Sequence, residues 1–306
     1  MLDIPVAFIV FNRPDLTAES FEPIRRAKPK VLYIISDGAR ATEVGEAERV
    51  DASRRIAESV DWPCQIERIY SETNLGCGKR ISSGIDEVFA KHDRAIILED
   101  DCVADDSFFR YCETLLDYYA DDQRIAAISG DHFHGGRTFG DGSYFFSKYA
   151  HCWGWATWRR AWQHQPTVIE RWPAYRDSGD LNAYCDSVVE LDYWTRTFDS
   201  VYRGEIDTWD FTWLLACWME SRLTILPNKN LVTNIGFGEG ATHTTKSSPI
   251  ANLPRYEFGP IEHPSHVSRS YRADRSTDWV QFSRGKVKFR HLVQLARRWR
   301  AKSSGA

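Results

Sequence analysis

Residues 99 to 101 are Glu-Asp-Asp, three carboxylates in a row, following directly on the apolar run Ala95-Ile96-Ile97-Leu98. Adjacent carboxylates repel one another, and at the end of a buried strand they are costly unless a cation or hydrogen-bond donors offset their charge. A solvated turn with helix-capping acids would also account for such a run, and Asp105 and Asp106 just beyond fit that description. Hard divalent cations take oxygen ligands, and Mg2+ or Mn2+ commonly uses one or two protein carboxylates while substrate phosphates fill other positions. With no EF-hand spacing around it, the triplet suits that shared arrangement better than an all-protein calcium cage.

The surrounding pattern supplies the elements that must hold these groups. Short β-rich apolar runs at 4–12, 30–38, 64–72 and 94–101 alternate with helical patterns at 16–27, 42–60, 78–91 and 106–121, the first with Asp15 as a candidate N-cap. That alternation predicts βαβ units and an α/β fold with a mostly parallel central sheet covered on both faces. In such sheets ligands sit at the carboxyl ends of the strands. Three of the four strands end in groups able to bind one: Asn12 and Arg13, then Asp37, then Glu99-Asp100-Asp101. Arg13 can hold a phosphate bidentately, whereas Asp37-Gly38 would equally make an ordinary turn.

With these residues in view, the segment AIILEDDCVADDSFFRYCETLLDYY (residues 95–119) resembles the metal-binding segment of GT-A glycosyltransferases. The E-D-D triplet and the Phe-Phe helix after it are most similar to those of the N-acetylglucosaminyltransferase group that begins hybrid N-glycan synthesis. The resemblance is strong at the triplet and weak over the rest of residues 4–245. It implies a Rossmann-like GT-A sheet with an integrated acceptor lobe, and inverting transfer of a sugar from a nucleotide diphosphate donor, expected to be a UDP-sugar. The acceptor would be a saccharide or a lipid-linked glycan. By the same resemblance Asp101 would ligate Mn2+ or Mg2+, with Glu99 and Asp100 facing the sugar and ribose. Arg13 would lie against the nucleotide, Asp37 would recognise the base, and the N-x-G segment at Asn74 and Gly76 would line the donor site.

Beside that resemblance the residues keep their own readings. Gly76 and Gly78 precede Lys79 and Arg80 at a helix start, where backbone N–H groups and cations can meet a diphosphate, but the spacing is not that of a P-loop. Asp210 stands in TWDF at the head of an apolar helix; the resemblance implies a general base there, and a helix cap is the plainer role. Asp210 is taken as the base and Asp207 as the cap. His243, in FGEGATHT, matches loosely the histidine with which such enzymes reach the metal or diphosphate. Trp155, Trp158 and Trp162 have the spacing of one helix face, which favours core packing. Trp153 and Trp155, around Gly154, are alternatively placed to stack on an acceptor sugar.

Composition bounds the rest. The chain has 306 residues, 42% hydrophobic and 27% charged, with no apolar run of bilayer-spanning length. Seven scattered cysteines without a C-x-x-C pair argue against a disulfide framework, and the N-terminal stretch has no secretory cleavage pattern, so a cytoplasmic protein is expected. The net charge of −4 hides an asymmetry: residues 284–302 carry eight Lys and Arg and no acid, leaving 31 Lys and Arg against 43 Asp and Glu in the remainder. An acidic body excludes a general nucleic-acid binder. The basic tail has an amphipathic pattern that would lie on the inner face of the cell membrane or dock on the body. Nine of the twelve tryptophans fall between residues 153 and 218. The expected organisation is therefore a nucleotide-sugar-binding half at 1–135, an acceptor-binding half at 136–245 and an extension at 246–306. Two other classes remain open: a nucleotidyltransferase that makes a nucleotide sugar, and a non-catalytic carbohydrate-binding protein.

Overall fold

The computed structural model describes residues 1–165, 167–237 and 250–282. Four βα units come first: β1 (Val6–Val10) and α1 (Pro14–Ala27), β2 (Val31–Ser36) and α2 (Glu46–Ala57), β3 (Gln65–Tyr70) and α3 (Cys77–Lys91), then β4 (Arg94–Glu99), a short β5 (Cys102–Ala104) and α4 (Asp106–Tyr118). Next come β6 (Ile125–Ser129), β7 (Tyr144–Ser147), β8 (Trp155–Trp158), α5 (Arg159–Trp162), α6 (Trp172–Ser178), α7 (Leu181–Tyr184), α8 (Val188–Tyr202) and α9 (Asp210–Met219). The described chain closes with β9 (Leu223–Pro227), β10 (Val232–Asn234) and α10 (Tyr271–Gln281).

The strands form one eight-stranded sheet in the order β3-β2-β1-β4-β8-β6-β9-β7, with β10 and β5 paired separately. β1 to β4 are parallel neighbours, β8 runs antiparallel to both β4 and β6, β9 is parallel to β6, and β7 antiparallel to β9. This is the expected α/β architecture with a mostly parallel sheet flanked by helices. Because side chains alternate along a strand, Val6, Phe8 and Val10 of β1 face one core, shared with α1 and α4, while Ala7 and Ile9 face a second. The second core takes the tryptophans of residues 155–218 except Trp158, which packs in the first, together with α3 and α9. Both faces of the central strands are covered, which is why β1, β2 and β4 read as apolar runs and the more exposed edge strand β3 does not.

Two local expectations are corrected. Asp15 is not the N-cap of α1: Pro14 opens the helix, Arg13 takes the cap position without a side-chain hydrogen bond, and Asp15 lies in the first turn. Proline suits that position because its missing N–H would have no helical partner. The tryptophans 155, 158 and 162 do not share a helix face, since Trp155 and Trp158 lie on β8 and only Trp162 is helical. All three are nonetheless core residues, each no more than 3% exposed. Asp105 does cap α4, accepting from the Ser107 N–H at 2.9 Å. The tail 284–302 and His243 lie outside the described residues.

Candidate active site

β1 and β4 are hydrogen-bonded neighbours, so the turns after them, at Phe11 to Arg13 and at Glu99 to Asp101, are brought side by side. They meet at a cavity of about 590 Å³, lined among others by Arg13, Glu99, Asp100, Asp101, Asp131 and Asp210. The cavity sits at the carboxyl ends of these strands and takes its lining both from them and from residues 131–214.

The triplet is compensated from inside the protein. Arg13 binds the Asp100 carboxylate and lies 3.0 Å from Asp101 Oδ2, and the Phe11 N–H donates to Asp100 at 3.2 Å. Burial opposes the charge of Arg13, but Asp100 and Asp101 outweigh it and hold the guanidinium firmly protonated. Among the described residues Glu99 has no such ion pair. Burial, then the neighbouring charges of Asp101 and Asp100, push its carboxyl well above the usual range, with Asp210 adding to the effect and Arg13 opposing it. Asp100 is also raised, by burial, with Arg13 working against the shift.

Asp101 is more exposed than Asp100. Its Oδ1 accepts from Asn234 Nδ2 at 3.2 Å, and its carbonyl accepts from the Ile235 N–H at 2.9 Å, so the strand pair β5 and β10 holds it in place. Gly236 packs against it so closely that a Cβ there would lie 2.1 Å from Asp101 Oδ2. Among the described residues no three His, Cys, Asp or Glu side chains form a closed metal cage. Asn234 turns its Nδ2 to Asp101 and accepts with its Oδ1 from the Gly236 N–H at 2.9 Å, so the hard oxygen donor here is the Asp101 carboxylate, of the class that Mg2+ or Mn2+ takes when phosphate oxygens complete the shell. A single carboxylate in that role fits a site shared with a substrate.

Asp37 and the loop after β3 form the next wall. The Asp37 carboxylate accepts from the backbone N–H groups of Leu75 and Gly76 at 2.9 and 3.0 Å and from its own neighbour Gly38. Asn74 Nδ2 returns a bond of 2.8 Å to the Gly38 carbonyl. Asp37 and Asn74 thus lock two loops together, and both still line the cavity. Asn12 does not reach the cavity; its Nδ2 donates to Glu46 Oε1 at 2.7 Å and steadies the loop from behind. Arg40 on the same carboxylate holds Glu46 down at about 2.

Helix α3 starts at this wall. Gly76 has φ +84, and a Cβ would lie 2.5 Å from Asp207 Oδ2, so only glycine allows the approach. Asp207 accepts from the Gly78 N–H at 2.9 Å. It therefore caps α3 rather than its own helix α9. Lys79 is exposed and points away from the cavity, which is lined instead by the buried Arg80, whose Nε has no hydrogen-bond partner. Asp210, also lining the cavity, is the first residue of α9, and its Oδ1 accepts from the Phe211 N–H at 2.8 Å and from the Thr208 hydroxyl.

Trp153 lines the cavity, in edge contact with Phe133 and Phe237. Trp155 does not. It is 1% exposed, stacked on Trp209 within the tryptophan core, where no sugar can reach it. Asp131 and His151, which the sequence analysis did not single out, also line the cavity. Asp131 stands two residues after β6, its Oδ2 accepting from the Trp153 N–H at 3.0 Å and its Oδ1 without a partner among the described residues. Burial pushes its carboxyl well above the usual range. His151, whose Nε2 is likewise unpartnered among them, is lowered to about 3 by burial and by His132. The signal for Asp131 was present, because it follows an apolar strand much as Glu99 does.

No family model matches this chain, and no curated protein does. Among solved structures it is similar to a mannosyltransferase from Pyrobaculum calidifontis in complex with GDP-Man and Mn2+, with 14% identity and a TM-score of 0.36 over 56% of this chain and 48% of that one. A UDP-glucose pyrophosphorylase complexed with UDP-glucose gives 9% identity and a TM-score of 0.37, covering 74% and 90%. A 4-diphosphocytidyl-2C-methyl-D-erythritol synthase from Anaerococcus prevotii DSM 20548 gives 10% and 0.37, covering 81% and 95%. The chain thus spans less than half of the mannosyltransferase. These neighbours are transferases of both sugar and nucleotidyl groups, and likeness at this level carries no argument for either activity.

Proposed function

We propose that the protein is a metal-dependent glycosyltransferase that moves a sugar from a nucleotide diphosphate donor, a UDP-sugar, to a hydroxyl of a saccharide or lipid-linked glycan. The observation that carries this reading is the cavity itself, which Arg13, the triplet and Asp210 line together. Charge for a diphosphate and a carboxylate for a hydroxyl border one space.

In this reading Arg13 and Arg80 bind the diphosphate and stabilise the charge it gains on leaving. Glu99 and Asp100 face the sugar and ribose. Asp101 would hold a Mn2+ or Mg2+ ion, which when bound would supply Lewis-acid stabilisation of the leaving group. The acceptor oxygen forms a bond to C1 of the donor sugar as the bond from C1 to the diphosphate oxygen breaks, and Asp210 takes the hydroxyl proton. Attack from the face opposite the leaving group inverts the anomeric centre. Trp153 lies where an acceptor ring would pack.

The test is calorimetric titration with UDP and GDP, with and without Mn2+, on the protein and on Asp101→Ala, followed by analysis of products from UDP-sugars. Metal-dependent binding that is lost in the variant, with release of UDP, supports the reading. Release of pyrophosphate from a sugar phosphate and a nucleoside triphosphate would instead assign a nucleotidyltransferase, and absence of any nucleotide binding a non-catalytic protein.

A further inference from the structure

Helix α10 carries its faces the opposite way round from a helix that serves only its own core. Ala273, Asp274, Thr277 and Asp278 are buried, while Tyr271, Arg272, Arg275, Trp279 and Val280 face outward, Trp279 at 60% and Val280 at 40% exposure. The spacing 271, 275, 279 and 272, 276, 280 places these outward residues on one continuous stripe. Two acids have been taken inside and a tryptophan left outside, the reverse of the usual partition.

This orientation is held by charge. Asp274 accepts from the Ser147 hydroxyl at 2.5 Å and pairs with Arg269, and Arg269 also pairs with Asp186. Asp186 in turn lies 3.2 Å from Lys148, a fully buried cation 2.6 Å from Glu190. Rolling α10 to hide Trp279 would pull Asp274 out of this cluster and leave buried charges unpaired, so the outer stripe is fixed in place. Beside it Arg137 reaches Ser276, and with Arg272, Arg275, Trp279 and Val280 it lines a shallow groove of about 310 Å³. Three arginines thus flank an aromatic and aliphatic ridge on a chain whose net charge is −4.

We infer that the outer face of α10 docks on an anionic lipid surface. Tryptophan and tyrosine settle at the headgroup level of a bilayer, arginine pairs with anionic headgroups, and a helix lying in the interface places them on one side in this way. The positive charge also continues along the sequence, since residues 284–302 carry eight Lys and Arg and no acid. Gln281 and Phe282, at the end of α10, line the candidate active-site cavity. On the proposed function, and resting on it, docking through α10 would bring the cavity to an acceptor carried by a lipid.

The test needs no donor, metal or acceptor, so its outcome is separate from that of the enzyme assay. The full chain is sedimented with vesicles of phosphatidylcholine alone and with vesicles containing phosphatidylglycerol, at low and high salt. The same is done for Trp279→Ser/Val280→Ser and Arg272→Glu/Arg275→Glu, whose fold is verified by circular dichroism. Salt-sensitive binding to the anionic vesicles only, weakened about tenfold or more in both variants, is expected. If the wild-type chain does not sediment with anionic vesicles, or binds neutral ones equally, the inference is overturned. It is equally overturned if folded variants bind as the wild type does, because the tail alone would then account for binding.

Discussion

Arg13 stands 3.0 Å from Asp101 and binds Asp100 beside it, so one guanidinium from the turn after β1 offsets two carboxylates from the turn after β4. Replacing it by glutamine leaves two largely buried acids facing each other. Breaking such a pair costs about 3–5 kcal/mol. Arg13→Gln is expected to be destabilised on that scale in urea titration, and Arg13→Gln/Asp100→Asn to recover part of the loss. If the single variant unfolds with the wild-type midpoint, the triplet is not held by Arg13.

Asp210 is expected to act only on the acceptor. Asp210→Asn should lower turnover by about 10²–10⁴-fold, the usual contribution of a positioned base. Calorimetry should show UDP affinity nearly unchanged, because the triplet and Arg13 are untouched. A variant that loses donor binding instead would remove Asp210 from the role of base.

Gly76→Ala brings two penalties together, a positive φ and a Cβ 2.5 Å from Asp207. Destabilisation of about 1–3 kcal/mol is expected from the strain, and the melting temperature should fall accordingly. Asp207→Ala relieves the crowding but removes the cap on α3, so the double variant should be no worse than Gly76→Ala alone.

His134 and His151 are both lowered to about 3, by burial first and then by neighbouring histidines. The unfolded chain binds protons at these sites below about pH 6.5, while the folded chain stays neutral until about pH 3. Their stabilising contribution is therefore complete above pH 6.5 and is lost as pH falls between those limits, at up to about 1.4 kcal/mol per pH unit for each. Asp131 acts in the opposite sense: its raised carboxyl costs stability as pH rises above the ordinary carboxylate range. Denaturation measured from pH 4 to 8 should show the histidine slope reduced in His151→Gln, and Asp131→Asn should gain stability relative to the wild type as pH increases.

The first half of the sheet was legible because β1, β2 and β4 are short apolar runs closed by polar residues, and β3, QIERIY, falls between two helical patterns. The carboxylate cluster was legible for the same reason: Glu99 to Asp101 break such a run abruptly. β8 was not, because Trp155, Trp158 and Trp162 imitate helical spacing while the chain passes from strand to helix between them. Lys79 and Arg80 were named together, and the apolar spacing of Ile81, Ile85 and Val88 decides between them, since it turns Arg80 to the buried side of α3 and Lys79 outward. Asp131 and His151 become site residues only through the crossing of the sheet order, and no spacing in the sequence records that.

The placement of β8 between β4 and β6 also bears on synthesis. The first four strands can pair as soon as residue 99 is made, but β4 then offers a bare apolar edge until Trp155–Trp158 arrives. An unpaired edge of this kind invites pairing with other chains. A ribosome-bound fragment ending before β8 should accordingly be sticky and dependent on chaperones, and the cavity at the seam will be among the last parts of the molecule to exist.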